Sequence, residues 1–333
     1  MTVYVTLDYE LFMGSVVGTV DNCLIRPTEK LVEILDKYGV KASFFVDAAY
    51  LYRLHTLSIE FPILQEEHER IIRQLRWLVE KGHDIQLHIH PQWFSALYDG
   101  HAWHLRESDY KLSDFDDVTA FKLFNESKDH LEKSLGLRVC AFRAGGFSIQ
   151  SFKSIKSLFE SAGITVDSSV LCMRSSGEGP QFYDYSKVEP GHSYRFEVDV
   201  ANQTEDGPFV ELPITTGQIG VVPSIMGSIQ YHLIRSDRKK RYGDGNPIAC
   251  KRDSNKHRRI RRFNEWLLAT FDSGGSQNLL RIFKRQRKVG EAFVILSHPK
   301  NLSASSLADL ESFLRFAAPR SAFDVVSSLG NEN

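Results

Sequence analysis

The run Val294-Ile295-Leu296-Ser297-His298-Pro299 indicates how this chain folds. It is an apolar strand that ends in a single imidazole. Four other segments follow the same rule, because each is a buried strand with a charged or metal-binding group at its tip. They are Val3–Glu10 with two carboxylates, Asp84–His90 with two histidines, Val139–Arg143 with a guanidinium, and Ile164–Asp167 with a carboxylate. Barrels and open α/β sheets bind their ligands at the C-terminal ends of the strands. The five tips therefore predict one active site at that end of a sheet.

Helical patterns alternate with these strands along the chain. The first helix should have Pro27 in its first turn and Gly39 as its C-terminal cap, and a second strand should follow at 42–46. Further helices are expected at 64–80, 118–135, 152–162 and around 307–314, with two short strands within 195–212. Strand–helix alternation predicts an α/β fold, in which parallel strands are joined by right-handed crossovers.

The bulk properties exclude several classes of protein. The chain has 333 residues, 42% of them hydrophobic, and its net charge of -1 favours neither nucleic acid nor a membrane surface. It has no basic leader, no apolar run of about 18 residues, no nucleophile elbow and no phosphate-binding loop. The four cysteines form no CxxC pair. We therefore expect a cytoplasmic protein with no membrane span and a single domain over residues 1–333.

The segment from Arg235 to Arg262 departs from this composition, with 12 Lys or Arg against 3 Asp. A solvated insertion at about 235–262 is one interpretation. The other is an arm, with Arg258 and Arg259 as candidate contacts, that binds a sugar nucleotide, a lipid pyrophosphate or an acidic membrane surface peripherally. Aromatic residues for base stacking are sparse there, so nucleic acid is disfavoured as a partner.

His88 and His90 are two residues apart on one strand, so both imidazoles face the same way. Two histidines with one carboxylate form a common open zinc site. The alternative is a pair of core histidines that hydrogen bonds satisfy. The carboxylates at another strand tip favour the metal site.

The remaining tips supply groups for acid–base chemistry. Asp8 and Glu10 also share a face, so one of them can bind the metal while the other serves as base. Arg143 is suited to keep that base ionised. Asp167 and His298 suggest an acid–orienter pair, in which the carboxylate fixes the imidazole tautomer. Each residue alone is equally compatible with an ordinary polar strand end.

Taken in order, these segments resemble the polysaccharide deacetylase family, the NodB-homology or family 4 carbohydrate esterases. Thr6-Leu7-Asp8-Tyr9-Glu10 is similar to the first motif, Thr-Phe-Asp-Asp, and the segment Gly82–His88 to Gly-His-Glu-Ile-Gly-x-His. Arg143 matches the third motif, Asp167 the fourth, and Leu296-Ser297-His298 the fifth, Leu-x-His. The run His88-Ile89-His90-Pro91-Gln92-Trp93 resembles a divergent branch of deacetylases in bacterial O-antigen or lipopolysaccharide biosynthesis.

This resemblance implies a distorted (β/α) barrel of about seven strands and metal-dependent deacetylation of an acetamido sugar. It implies Asp8 as the base and one divalent metal, zinc by preference, on Glu10, His88 and His90. The chain departs from the family in three places. Tyr9 stands at the second carboxylate, Gln92 at a second histidine ligand, and Gly145 at a proline. Either His90 or Gln92 therefore completes the metal site.

The expected substrate is an acetamido sugar, carried by a nucleotide or a lipid, with Trp93 stacking on its ring. Two alternatives remain open at this stage. One is a metal-dependent amidohydrolase of another small substrate, since such enzymes also place His-x-His on a strand. The other is a non-catalytic carbohydrate-binding relative, which the departures at Tyr9 and Gln92 leave possible.

Overall fold

The structure is a computed structural model that describes residues 1–106, 108–176, 181–219, 235–248, 266–272 and 276–331. Its strands are β1 (Thr2–Tyr9), β2 (Ser43–Asp47), β3 (Asp84–Ile89), β4 (Leu97–Tyr98), β5 (Trp103–His104), β6 (Ala141–Ala144), β7 (Val166–Asp167), β8 (Tyr194–Phe196), β9 (Phe209–Glu211), β10 (Thr216–Gln218), β11 (Trp266–Leu268), β12 (Ala292–Ser297) and β13 (Ala322–Asp324). Its helices are α1 (Arg26–Lys37), α2 (Ala48–Leu57), α3 (Pro62–Glu80), α4 (Asp117–Leu135), α5 (Lys156–Ala162), α6 (Ser236–Lys239), α7 (Ser276–Gln286) and α8 (Ala304–Ala317).

The main sheet runs in the order β12-β1-β2-β3-β6-β7-β9-β8, and β13 pairs with the start of β1. Within the described ranges, the first seven of these strands are parallel and β8 is antiparallel. Backbone hydrogen bonds also connect β12 to residues that follow β9 and β11. Thr215 donates to Val294 over 3.2 Å, and Leu296 donates to Ala269 over 3.1 Å. The sheet therefore forms a distorted (β/α) barrel, and the predicted architecture is confirmed.

Strand periodicity separates two layers of core. Alternate side chains of β1, such as Val3 and Leu7, belong to the large apolar core that includes the helices. Tyr4 instead packs inside the barrel, in a small cluster with Phe45, Ala141, Val166, Leu212, Val294 and Val326. Because side chains alternate along a strand, Thr6 and Asp8 point inward above Tyr4. The parity of each strand thus decides which polar groups reach the interior.

Most predicted helices are present within a few residues of their expected bounds. In α1, Pro27 lies in the first turn, and Gly39 follows the helix with a φ of +64°. Helix α2 was not predicted. Its residues Ala48, Ala49, Tyr50, Leu51 and Leu54 are buried, so the sequence shows no clear amphipathic stripe.

Part of the basic segment contacts the barrel at residues 242–244, whereas residues 235–240 are mostly exposed to solvent. Tyr242 donates its backbone N–H to the Leu302 carbonyl over 2.8 Å, and the Asp244 carboxylate accepts from the amide and hydroxyl of Thr19. Arg258 and Arg259 lie outside the described residues. Within the described ranges, no helix combines the length and the apolar character that a bilayer crossing requires.

Candidate active site

Asp8 and Arg143 form the centre of the strand-tip cluster inside the barrel. Arg143 is fully buried, and its guanidinium donates to Asp8 Oδ1 over 2.7 Å and to the Thr6 hydroxyl over 3.0 Å. It also donates to the carbonyl and hydroxyl of Ser168, which hold its plane in place. The structure thus places together the two residues that the sequence suggested as base and supporting cation.

Glu10, His88 and His90 form the predicted three-ligand group, with their ligand atoms all within 4.8 Å of one another. Glu10 Oε2 lies 3.1 Å from His88 Nε2 and 2.5 Å from His90 Nε2. His88 Nδ1 is 2.7 Å from the Arg143 carbonyl, and this contact directs Nε2 toward Glu10. Metal-binding histidines commonly have such a carbonyl partner. Two imidazoles and a carboxylate in this arrangement fit a zinc-class ion.

Tyr9 and Gln92, two of the three departures from the expected motif pattern, lie apart from this group. Tyr9 has the parity of the outer core, and its hydroxyl donates to Gln74 over 2.8 Å. Glu10 is therefore the carboxylate that reaches inward. Gln92 is buried, and its amide has no hydrogen-bond partner within the described residues. His90, not Gln92, lies beside Glu10.

Charges around Glu10 control its ionisation. Burial raises the pKa of this carboxyl, but the Lys300 ammonium and the two imidazoles outweigh burial and hold the pKa well below its usual range. The Lys300 ammonium donates to Glu10 Oε1 over 2.8 Å and to the Leu11 carbonyl over 2.7 Å. For His88, burial lowers the pKa, and the carboxylates of Asp8 and Glu10 reverse this and raise it to about 9. A cation is therefore favoured next to Glu10.

His298 faces the carboxylates of Asp8 and Glu10 at the C-terminal end of β1, and its orienting partner is Asp272. The imidazole Nε2 lies 3.7 Å from Asp8 Oδ2 and 3.7 Å from Glu10 Oε1. Asp272 lies 2.7 Å from Nδ1 and also accepts the His298 backbone N–H over 3.0 Å. Burial lowers the pKa of His298, but the hydrogen bond and charge of Asp272 reverse this and raise it.

The predicted pairing of Asp167 with His298 is wrong, and strand parity gives the reason. Val166 packs inside the barrel, so the next residue, Asp167, points to the opposite face. Its carboxylate accepts from the amide and hydroxyl of Ser169 and lies beside Glu211, its register partner on β9. Burial raises the pKa of both carboxyls, and for Glu211 the Asp167 charge raises the pKa further. Asp167 therefore belongs to a buried carboxyl pair in which protonation of Glu211 is favoured.

This pair should make stability depend on pH. A raised folded-state pKa means that its stabilisation is present below the unfolded value of about 4.3 and is lost as pH rises toward the folded value. Each pH unit in that window costs about 1.4 kcal/mol. Glu211→Gln, which mimics the protonated acid, should flatten this decline and raise the unfolding free energy at pH 7 by about 1–3 kcal/mol. Denaturant unfolding from pH 4.5 to 8 measures the unfolding free energy as a function of pH. The exposed Glu205→Gln should keep the wild-type slope, and an identical slope in Glu211→Gln would contradict the expectation.

Trp93 does not have the expected role, because it is fully buried. Its ring packs against Tyr50 at 4.5 Å and against Trp103 at 5.3 Å between centroids. A side chain enclosed in this aromatic cluster cannot present a face to a sugar, so the stacking prediction is wrong.

Three residues of the site were missed by sequence reasoning, namely Asp47, Asp272 and Lys300. Asp47 ends β2, and its Oδ1 accepts the His90 backbone N–H over 3.3 Å, while its Oδ2 has no partner within the described residues. Asp272 follows the short apolar run Trp266–Leu268. Asp47 obeys the strand-tip rule and was detectable, whereas Asp272 lies four residues beyond the end of β11. Lys300 carries no such signal, since its position depends on the turn after β12.

Gly145 leaves room for the His90 ring. Proline carries a Cβ and would not leave this room. A Cβ on Gly145 would lie 2.6 Å from His90 Nδ1. Gly145→Ala should therefore displace the ring and weaken metal binding by about 10- to 100-fold, as changes beside metal ligands do. Zinc titration measures the affinity. Gly163→Ala is the control, because that glycine has a positive φ but open space around its Cβ. This substitution should lower stability and leave zinc affinity unchanged. Unchanged zinc affinity in Gly145→Ala would show that the ring adapts.

Comparison with known proteins finds the same fold in solved structures. No protein-family model matches the chain, and no curated protein matches it. Among solved structures, a protein from Mycobacterium smegmatis assigned as a polysaccharide deacetylase is similar, with a TM-score of 0.52 and 16% identity over 99% of this chain and 88% of that chain. The PuuE allantoinase has a TM-score of 0.52 and 10% identity over 99% of this chain and 88% of its own. At these identities the likeness establishes a shared fold.

Proposed function

We propose that the chain is a metal-dependent hydrolase that removes the N-acetyl group from an acetamido sugar. The observation that carries this proposal is the placement of complementary groups around one space. Asp8 has one oxygen held by Arg143, and the other lies 3.7 Å from His298 Nε2. The Glu10–His88–His90 group lies on the same rim. Amide hydrolysis needs a base, an acid for the leaving nitrogen and an electrophile at the carbonyl. Asp8 and His298 supply the first two, and a metal held by Glu10, His88 and His90 would supply the third.

Each residue then has a defined task. Glu10, His88 and His90 would hold the metal, and a bound zinc ion polarises a carbonyl and lowers the pKa of water toward about 7. Asp8 accepts the proton of the attacking water, and Arg143 stabilises this carboxylate before the proton arrives. His298 donates a proton to the nitrogen as the C–N bond breaks. Asp272 stabilises the charged imidazolium. The products are acetate and a free amino sugar, which balances the addition of one water.

The substrate class rests on the motif order and on the Mycobacterium smegmatis neighbour assigned as a polysaccharide deacetylase. The branch that carries His-x-His-Pro-x-Trp suggests a role in O-antigen biosynthesis in the cytoplasm, where sugars are attached to a nucleotide or a lipid pyrophosphate. A second candidate is hydrolysis of another small amide, because the same groups can cleave any exposed C–N amide and a neighbour of this fold is an allantoinase.

Acetate release from defined substrates tests the proposal. Zinc-loaded protein should release acetate from nucleotide sugars that bear one or two acetamido groups, chelation should abolish the release, and zinc should restore it. The His88→Gln variant serves as the control without a complete metal group. Ring opening of allantoin without acetate release would favour the small-amide hydrolase. Sugar binding without any product would favour a carbohydrate-binding relative, and either outcome would overturn the proposal.

The basic segment provides a prediction on the carrier. Arg258, Arg259, Arg261 and Arg262 are close together in sequence and would attract an anionic diphosphate. Replacing all four with Gln should raise KM for a nucleotide-linked sugar and leave the activity on a free acetamido sugar unchanged. The difference between the two proteins should shrink with salt, since exposed charges are screened over about 8–10 Å at physiological ionic strength. Equal loss on both substrates would assign the segment to folding instead.

A further inference from the structure

A second group of imidazoles lies on the helices outside the barrel. His55 of α2, His68 of α3 and His130 of α4 have their ligand atoms within 4.8 Å of one another. His68 Nε2 is 2.8 Å from His130 Nε2, and the His55 ring stacks on that of His130 with centroids 4.5 Å apart. None of these residues belongs to a strand tip, so the catalytic proposal leaves the group without a role.

We propose that His55, His68 and His130 form a second metal site that binds a divalent ion of the zinc class. Three imidazole nitrogens suit zinc, copper or nickel, whereas calcium and magnesium require oxygen ligands. His55 is exposed and the other two are half-buried, so an ion can enter and keep water in a remaining position. A tetrahedral ion with Zn–N of about 2.1 Å needs nitrogens roughly 3.4 Å apart, so the closest pair must separate by about 0.6 Å.

The surroundings of His68 and His130 favour the neutral imidazole, which is the form that binds a metal ion. Burial, with a smaller contribution from neighbouring imidazoles, lowers the pKa of His68 and of His130 to about 4. The rings are therefore neutral at physiological pH, which is the state that binds metal. The charged neighbours, Glu69 near His68 and Lys133 near His130, are of opposite sign.

A simple hydrogen bond explains only part of this arrangement. One N–H···N bond accounts for His68 and His130, whereas His55, from a separate helix, takes no part in that bond and contacts both rings through its own ring. A metal would use all three and would link α2, α3 and α4, which pack against one another. Binding to the folded state alone must then raise stability. This inference is independent of the proposed hydrolase activity, because it concerns different residues and a different measurement.

Zinc titration of the chelator-treated full chain tests the site. Calorimetry should find two zinc ions in the wild type and one in His68→Gln, which should keep its acetate release with one ion bound. His101→Gln, an exposed histidine in the loop between β4 and β5, is the matched control and should bind two. If His68→Gln bound two zinc ions, the proposed site would be overturned. The same conclusion would follow if the wild type and His68→Gln each bound one ion.

A second measurement distinguishes the three-histidine site from the strand-tip group. It does not depend on correct folding of His68→Gln. In the His88→Gln protein, where the strand-tip group is incomplete, zinc should still raise the melting temperature. Adding His55→Gln, at an exposed position with little effect on folding, should weaken this zinc affinity by at least tenfold. An equal zinc-dependent shift with and without His55 would overturn the proposal, whether or not the chain hydrolyses amides.

Discussion

Asp8→Asn should retain its metal and lose turnover by about 10²–10⁴-fold, the range typical of a general base. The amide oxygen of Asn can still accept from Arg143, so the local geometry should survive. The amide cannot take a proton from water. Since Glu10, His88 and His90 are unchanged in this variant, zinc affinity should stay close to that of the wild type.

The reciprocal variant makes this prediction decisive. Glu10→Gln removes the charge between His88 and His90, so zinc binding should weaken while Asp8 stays intact. Calorimetric zinc titration and acetate release are measured on both proteins in parallel. If Asp8→Asn loses zinc and Glu10→Gln keeps it, the two carboxylates have exchanged roles, which their shared approach to His298 makes a meaningful alternative.

The strand-tip rule predicted much of this site because parity and parallel pairing are local properties. Asp8, Glu10, His88 and His90 lie in one cluster because residues two apart share a face and neighbouring parallel strands end at one edge. Arg143 joins them because it lies opposite His88 in the register of β3 and β6. The same logic, applied strictly, would have excluded Asp167, whose neighbour Val166 is inside the barrel.

The rest of the site depends on tertiary contacts that no single segment contains. Asp272 reaches His298 because residues 269–272 run beside β12, where Phe271 donates its N–H to the Ser297 hydroxyl over 3.1 Å. Trp93 follows the histidine strand closely in sequence, yet the short turn at Pro91–Trp93 directs it toward α2. Proximity in sequence therefore did not predict proximity to substrate.

Asp272→Asn and His298→Ala should lower kcat on the same step and combine non-additively. His298→Ala removes the acid and should cost about 10²–10⁴-fold. Asp272→Asn keeps an acceptor for the His298 backbone but removes the charge that stabilises the imidazolium. The double variant should be little worse than His298→Ala, because the two residues act as one unit. A double variant that shows the product of the two single losses would contradict this pairing.

The pH profile gives the direction of the effect. Because Asp272 raises the pKa of His298, its removal should lower that pKa. Activity requires protonated His298, so the alkaline limb of kcat should move to lower pH in Asp272→Asn. Asp167→Asn is the matched control, since it replaces a buried carboxylate of the same barrel that points away from the site. It should change stability while leaving the alkaline limb in place, and a shift equal to that of Asp272→Asn would return Asp167 to the role predicted from sequence.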